Sequence, residues 1–271
     1  MRLLLLILLI LPALSKGAEI KFVQSHLIKG QFDNFSVDNL GRIYVNKEDV
    51  LIQFSSKFDT LFTASLKSIR PSFMQSSKSF RTLLFDYDRS VIKFLDNTLT
   101  DIDEDVDLVN IDIQQPHLVC ESFVGNGFWV LDAGSNRLVK LNEKLEVSVT
   151  AENIANLFDS KTQKYDLPSQ MLETNEYLFI SYPGYGVALF DVFGTYINSY
   201  PCNPKNIGSF GNHLIVQTEE AKMHIVQLNE LLEADYIYQL PSGVSDFYYT
   251  RERLYLLTNE GISIGQFKKF E

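Results

Sequence analysis

Three acidic residues occupy the same position of an internal repeat in this sequence. Glu121, Glu173 and Asp246 each follow a proline by five residues, and equivalent positions of repeated units lie at equivalent points of a repeat fold. Carboxylate oxygens are the ligands that calcium prefers, and a metal held by carboxylates can activate water for hydrolysis. If the three side chains converge, they form a candidate metal site of a hydrolase.

A second acidic group is the run at residues 101–107, in which an aspartate stands at every second position. On a β-strand such side chains share one face. Calcium binding is one interpretation, but Val106 stands where a calcium-binding EF loop requires glycine. The pattern therefore favours a charged outer strand that discourages pairing with another chain.

Tyrosine and arginine residues in polar turns form a third group, whose chemistry is that of recognition. Tyr182 and Tyr185 flank a Pro-Gly dipeptide, which predicts a rigid loop that displays both phenols. Other turns carry Tyr87, Arg89 and Arg137. Because tyrosine and arginine are enriched at binding hot spots, we expect these five side chains to contribute to a binding surface.

The elements that must position these groups repeat along the chain. Strings that begin with a proline recur at Pro71, Pro116, Pro168, Pro204 and Pro241. Each is followed by a short apolar run, a polar turn and a second apolar run, as in GFWVL and RLVKL. One further pair, GRIYV and VLIQF, comes before the first of these prolines. Six strand pairs, spaced by roughly 40 residues, predict an all-β, six-bladed β-propeller. Proline is tolerated at the start of a strand, so each proline marks the crossing between blades.

The two ends of the chain predict how the ring closes. The last unit ends after three strands, and the apolar residues 20–28 belong to no unit. Pairing them as the outermost strand of the last blade would remove an exposed strand edge. The sequence thus predicts one domain over residues 19–271, closed by its N-terminal strand.

The residue after each proline should lie at the mouth of the central channel. These residues are Ser72, His117, Ser169, Lys205 and Ser242. His117 and Lys205 have the chemistry of a base or an anion contact, but no second histidine accompanies them. We interpret the ring as a polar channel lining and retain His117 and Lys205 as candidate binding residues.

Two segments, residues 36–61 and 127–147, resemble NHL-type repeats of six-bladed propellers. The residues that match the repeat in the third unit are Asp132, Asn136, Arg137 and Leu141. The other units keep mainly the strand pattern. The resemblance implies a six-bladed propeller of the NHL/TolB-like superfamily, which includes binding scaffolds, lactonases and lyases, so the fold does not choose the function.

Residues 1–18 are typical of a secretory signal peptide. Arg2 supplies a positive start, residues 3–14 are apolar apart from Pro12, and small residues follow. The apolar run is shorter than the about 20 residues that span a bilayer, so no transmembrane segment is expected. The sequence predicts an exported protein, periplasmic or secreted, whose mature chain begins between Lys16 and Glu19.

The net charge and the two cysteines bear on nucleic-acid binding and on disulfide formation. The formal net charge of −10 gives no attraction to phosphate backbones, so nucleic-acid binding is not expected. Cys120 and Cys202 fall in different units, which favours two free thiols over a disulfide.

The sequence favours an exported, non-catalytic binding scaffold without a cofactor, whose partner is an exported or envelope protein or a small ligand. The alternative is a metal-dependent hydrolase or lactonase that uses Ca²⁺ at Glu121, Glu173 and Asp246.

Overall fold

The structure is a computed structural model and describes residues 19–76, 80–154, 167–229, 231–250 and 253–270. Its strands form six antiparallel sheets of four strands each. The sheets are the blades of a six-bladed β-propeller, as the repeat spacing predicted. A single turn of 3₁₀-helix, Val109–Ile111, interrupts the strands between the second and third blades.

In blades 1 to 5 the strands follow one another in chain order from the inner to the outer edge. Blade 1 contains Asn34–Val37 (β2), Ile43–Lys47 (β3), Val50–Phe54 (β4) and Thr60–Ser65 (β5). Blade 2 contains Phe73–Ser76 (β6), Thr82–Asp86 (β7), Val91–Leu95 (β8) and Val106–Asp107 (β9). Blade 3 contains Pro116–Glu121 (β10), Phe128–Asp132 (β11), Arg137–Leu141 (β12) and Val147–Glu152 (β13).

Blades 4 and 5 follow the same plan, and blade 6 takes its fourth strand from the other end of the described chain. Blade 4 contains Gln170–Glu173 (β14), Tyr177–Tyr182 (β15), Gly186–Asp191 (β16) and Tyr196–Tyr200 (β17). Blade 5 contains Pro204–Phe210 (β18), His213–Thr218 (β19), Lys222–Gln227 (β20) and Ala234–Gln239 (β21). Blade 6 contains Asp246–Tyr249 (β22), Leu254–Thr258 (β23) and Gly261–Phe270 (β24), and its outermost strand is Glu19–Lys29 (β1).

The second and third strands of each blade read as continuous apolar runs because both of their faces are covered by neighbouring blades. In blade 2 every residue of β7 and β8 is buried, whereas most of β5, an outer strand, is exposed. Trp129 is fully buried between blades 3 and 4, where it packs with Ile180 and Phe190. The hydrophobic core is therefore a ring of clusters between blades rather than one central cluster.

Hydrogen bonds between the innermost strands hold adjacent blades in register near the axis. In three seams a polar side chain accepts a backbone N–H of the next blade: Ser36 Oγ from Ser76 at 2.9 Å, Gln75 Oε1 from Glu121 at 2.9 Å, and Gln170 Oε1 from Ile207 at 2.6 Å. These bonds satisfy inner-strand donors that face no strand on the channel side.

The N-terminal strand closes the ring, as predicted. Ten residues of β1 pair antiparallel with β24, from Glu19 opposite Phe270 to Lys29 opposite Gly261. Since β24 is already paired with β23, the first strand of the chain covers the edge of the last blade. No described helix is long and apolar enough to cross a membrane. Cys120 and Cys202 are free cysteines.

The propeller has two faces that are used below as named surfaces. The proline face carries the linkers between blades, which contain Pro71, Pro168 and Pro241, and the turns between second and third strands. The cavity face carries the turns between first and second strands and between third and fourth strands. Because strands of a blade alternate in direction, these two sets of turns lie at opposite ends of the channel.

Candidate functional site

A cavity of about 870 Å³ opens at the centre of the cavity face, where the six innermost strands end. All six blades contribute to its wall, mainly through the turns that join their first and second strands. A volume of this size is within the range of small-molecule sites, about 300 to 1,000 Å³. The lining therefore belongs to the ring as a whole rather than to one blade.

Two of the predicted carboxylates lie in this wall, but each forms an ion pair with a cation of the preceding blade. Glu121, which is 3% exposed, accepts a hydrogen bond from Arg81 Nε at 2.7 Å. Glu173 accepts from Lys140 Nζ at 2.6 Å and from the backbone N–H of Phe123 at 2.5 Å. Both carboxylates therefore join neighbouring blades, because their cations belong to the preceding blade.

Asp246 does not join Glu121 and Glu173, so the expectation that the three acids are equivalent is wrong. Glu121 and Glu173 end their strands, whereas Asp246 begins β22 and lies at the proline face. The cause is a shift in the repeat: Pro241 lies five residues before its strand, whereas Pro168 lies two before its own. Among the described residues no three His, Cys, Asp or Glu side chains are grouped to hold a metal ion.

The environment of Asp246 raises its pKa to about 6, chiefly through burial. The backbone N–H of Phe247 and the charge of Lys205 act in the opposite direction. Lys205 Nζ itself donates to the carbonyl oxygen of Val244 at 2.9 Å. At the proline end of the channel, this acid and this cation belong to blades 6 and 5, and both contribute to the seam between them.

The acidic run at 101–107 is also arranged differently from the predicted outer strand. Only Val106 and Asp107 are in a strand, and Asp101 makes an isolated bridge to Leu95. The intervening chain folds over Lys93, whose Nζ lies 2.9 Å from carboxylate oxygens of both Asp101 and Asp105. A buried cation therefore draws in the acids that would have alternated on a regular strand.

An aromatic and cationic corner occupies the side of the cavity where blades 5, 6 and 1 meet. Phe210, which is 37% exposed, contacts Tyr249 edge to face with ring centroids 5.6 Å apart. The guanidinium of Arg253 donates to the carbonyl oxygen of Ser56 at 3.2 Å and lies 5.6 Å from the ring centre of Phe58. We call Phe210, Tyr249 and Arg253 the corner residues.

Asp38 holds the turn next to this corner. Its carboxylate accepts from the backbone N–H groups of Leu40 and Arg42, both at 2.9 Å, and from Arg42 Nε at 2.6 Å. The hydroxyl of Tyr44 donates to it at 3.2 Å. Burial, and then the charge of Asp38, raise the pKa of Tyr44 and of Tyr248 to about 12. Both phenols therefore stay protonated at neutral pH.

The predicted tyrosine loop on the proline face displays less than expected. Tyr182 is only 6% exposed and packs between blades 3 and 4, and Tyr185 packs partly against the same cluster. Burial also raises the pKa of Tyr182. The expectation that both phenols are displayed is wrong for Tyr182, because β15 extends through that residue and its side chain is drawn into the core.

The predicted arginines of the proline face are attached to the linkers between blades. Arg89 donates to the carbonyl oxygen of Ser68. Arg137 donates to the carbonyl oxygen of Asp112 at 2.5 Å and pairs through Nε with Asp132 at 3.1 Å. The residues that carry the repeat motif in blade 3 thus brace the crossing from blade 2.

His117 and Tyr87 lie together at one place on the proline face, with ring centroids 5.8 Å apart. His117 Nε2 is 2.8 Å from the carbonyl oxygen of Pro168 in the next blade. Since a carbonyl can only accept, Nε2 carries the proton. A binding role for these residues, and for Lys205, Arg89, Arg137 and Tyr185, stays a prediction.

Sequence reasoning missed the corner residues because no repeated motif marks them. The turns after the first strands contain short polar and glycine-containing strings, such as Phe210-Gly211-Asn212. An aromatic residue beside such a turn was the available signal. The repeated prolines mark the other end of the same strands.

No protein-family model and no curated protein matches this sequence. Solved structures match the fold. A streptogramin B lyase is 12% identical with a TM-score of 0.58, covering 92% of this chain and 87% of that chain. BamB from Moraxella catarrhalis is 12% identical with a TM-score of 0.51, covering 88% and 83%. The Pan2 WD40 domain of Neurospora crassa is 12% identical with a TM-score of 0.57, covering 92% and 98%. At this identity the likeness shows the propeller fold alone.

Proposed function

We propose that this chain is an exported, non-catalytic scaffold that binds a small ligand or a segment of an exported or envelope protein in the central cavity of the cavity face. The observation that carries the proposal is the charge arrangement of the cavity wall. Its acids are paired with protein cations or with backbone donors, while the corner residues remain partly exposed. A wall of this kind recognises a ligand without offering an unpaired carboxylate as a base.

The fold supports the proposal without choosing it. Propellers of this shape include a lyase by name as well as a WD40 domain, so the site has to supply the argument. The hydrolase alternative required three converging acids, and the distances that the structure gives attach two of them to Arg81 and Lys140. We therefore place recognition, rather than hydrolysis, at the centre of the ring.

The binding test uses a double variant of the corner. Phe210→Ala/Tyr249→Ala removes two aromatic surfaces, each worth about 1 to 2 kcal/mol at a hot spot, so partner capture from the exported fraction should weaken at least tenfold. Tyr87→Ala is the matched control, because it removes an exposed aromatic side chain from the proline face. Loss of capture in the control, with the double variant unaffected, would instead place binding on the proline face.

Export is tested separately. The closing strand β1 begins at Glu19, so cleavage within residues 16–19 would leave essentially all the strands in the mature chain. N-terminal sequencing of the protein recovered outside the cytoplasm should give a start between Lys16 and Glu19. Recovery of a folded cytoplasmic pool that retains Met1 would refute the export part of the proposal and leave the binding part open to its own test.

A further inference from the structure

The charged side chains of the central cavity differ in whether they have an ion-pair partner. Four charged side chains line it among the described residues, namely Asp38, Glu121, Glu173 and Arg253. The three acids have cationic partners, at 2.6 Å from Arg42, 2.7 Å from Arg81 and 2.6 Å from Lys140. Arg253 has no carboxylate within ion-pair distance in the part of the chain that the structure describes.

The backbone of Arg253 is held more firmly than its side chain. Thr250 donates from its backbone N–H to the carbonyl oxygen of Arg253 at 2.8 Å, and Arg253 donates its own N–H to Thr250 Oγ1 at 3.0 Å. These bonds close the turn between β22 and β23 and fix where the side chain starts. The guanidinium then makes the single described hydrogen bond to Ser56. A guanidinium has five N–H donors, so the described residues leave most of them for a ligand.

Apolar surface lies in the same corner. Tyr249 is the last residue of β22, directly before the turn that ends at Arg253, and Phe210 of blade 5 contacts the Tyr249 ring. A carboxylate held by two parallel N–H bonds from a guanidinium is the strongest simple contact such a side chain makes, and an adjacent aromatic pair binds rings or aliphatic groups through dispersion and area burial. The corner therefore combines an anion contact with an apolar contact.

We propose that the cavity binds a ligand in which a carboxylate lies beside an aromatic or aliphatic group, with the carboxylate on Arg253 and the apolar group on Phe210 and Tyr249. This inference rests on the proposed function, because it names the ligand chemistry of that same cavity. The C-terminal residue of a peptide and a free aromatic acid share this chemistry. The neutralised acids of the wall are part of the selectivity, since an unpaired Glu121 or Glu173 would repel the carboxylate.

Long-range attraction does not account for such a preference. The protein has a formal net charge of −10, so its overall field opposes the approach of an anion. Charges separated by more than about 8 Å are largely screened at physiological ionic strength. Binding of a carboxylate therefore has to come from the local contact with Arg253. Substitution of this residue tests the proposal directly.

The experiment compares acid and amide forms of one probe. Isothermal titration calorimetry of the mature protein with N-acetyl-Phe-Tyr as the free acid and as the C-terminal amide should show the acid binding at least tenfold more tightly. Arg253→Gln should abolish that difference, and Arg253→Lys should retain part of it, because a lysine is a point charge without the bidentate geometry. Lys57→Gln removes one positive charge from the neighbouring turn of blade 1, outside the cavity wall, and should leave the difference intact.

A third probe separates the two sources of the ligand. If 4-hydroxyphenylacetate binds as tightly as the peptide acid, the ligand is a free aromatic acid; tighter peptide binding assigns a chain terminus. Equal binding of acid and amide, no binding of either, or an equal effect of Lys57→Gln overturns the inference. If the inference fails while Phe210→Ala/Tyr249→Ala still loses its captured partner, the proposed binding function stands with another ligand chemistry.

Discussion

The two faces of the propeller use the same residue types in different ways. On the proline face, Arg89 and Arg137 are attached to linker carbonyls and Tyr182 is buried between blades. On the cavity face, Arg253, Phe210 and Tyr249 line an open volume and remain partly exposed. Arginine and tyrosine in a turn therefore do not identify a binding surface by themselves. Arg253 also donates to a neighbouring blade, at the carbonyl oxygen of Ser56. The two faces differ instead in the carboxylate partner of Arg137 and in the burial of Tyr182.

The largest expected effect is on stability, when a buried tyrosine of one face is compared with a partly exposed phenylalanine of the other. Tyr182→Ala should lower the free energy of unfolding by about 3 kcal/mol, because removing a buried aromatic side chain leaves a cavity between blades 3 and 4. Phe210→Ala should lower it by less than about 1 kcal/mol, because that ring is already partly solvated. Urea denaturation of both variants measures the difference. Equal losses would mean that the two faces are equally structural.

The acids of the cavity face should also differ in how much they contribute to stability. Glu173→Gln removes the charge that compensates Lys140 and should cost about 2 kcal/mol of stability, which is below the range for a fully buried pair because Lys140 is partly exposed. Glu176→Gln, an exposed residue of the same turn, is the matched control and should change stability by less than about 0.5 kcal/mol. A stable Glu173→Gln protein with weakened ligand binding would instead show that this acid serves the ligand.

The smallest expected effect is a pH dependence from the proline end of the channel. The pKa of Asp246 is raised to about 6 in the folded protein from an ordinary value near 3.8. Between these two values the folded state binds more protons than the unfolded state, so the stability that this group contributes is complete below about pH 3.8 and is lost as the pH rises through 6.

Asp246→Asn has no proton to lose at this site. The melting temperature of the wild type relative to this variant should therefore fall as the pH rises from about 4 to about 6, and should stay level above about 7. Thermal melts of both proteins over this range provide the measurement. A difference that is constant with pH, or one that moves in the opposite direction, would contradict the raised pKa.

The sequence was sufficient for the architecture because its signal is repeated. Strand pairs such as GFWVL and RLVKL recur in every unit, so the fold of an irregular unit can still be predicted from the pattern of the other five. The closing strand could be predicted for a related reason: residues 20–28 are apolar, belong to no unit, and the last blade lacks one strand. Asp132 and Arg137, which matched the repeat motif, bind each other, and Asp132 also accepts from the linker residue Gln115. The motif itself did not predict these contacts.

The candidate site was harder to predict because it depends on what lies across a seam. Pro241 looked equivalent to Pro168, but the chain between it and β22 is longer, which carries Asp246 to the opposite end of the channel. Burial of Tyr182 depends on blade 3, and neutralisation of Glu173 depends on Lys140, 33 residues earlier in the chain. Neither can be obtained from a local pattern, and the corner residues come from turns that share no motif.

The pairing of β1 with β24 has a consequence for how the protein is made. The first strand to leave the ribosome is a partner of the last, since Glu19 lies opposite Phe270. Until synthesis is complete, the nascent chain can assemble individual hairpins but has no means of joining the ends of its ring. Such a long-range contact slows folding because the loop entropy must be lost before the pairing repays it. If the chain is exported unfolded, as we propose, this pairing keeps the ring open until the whole polypeptide has crossed the membrane.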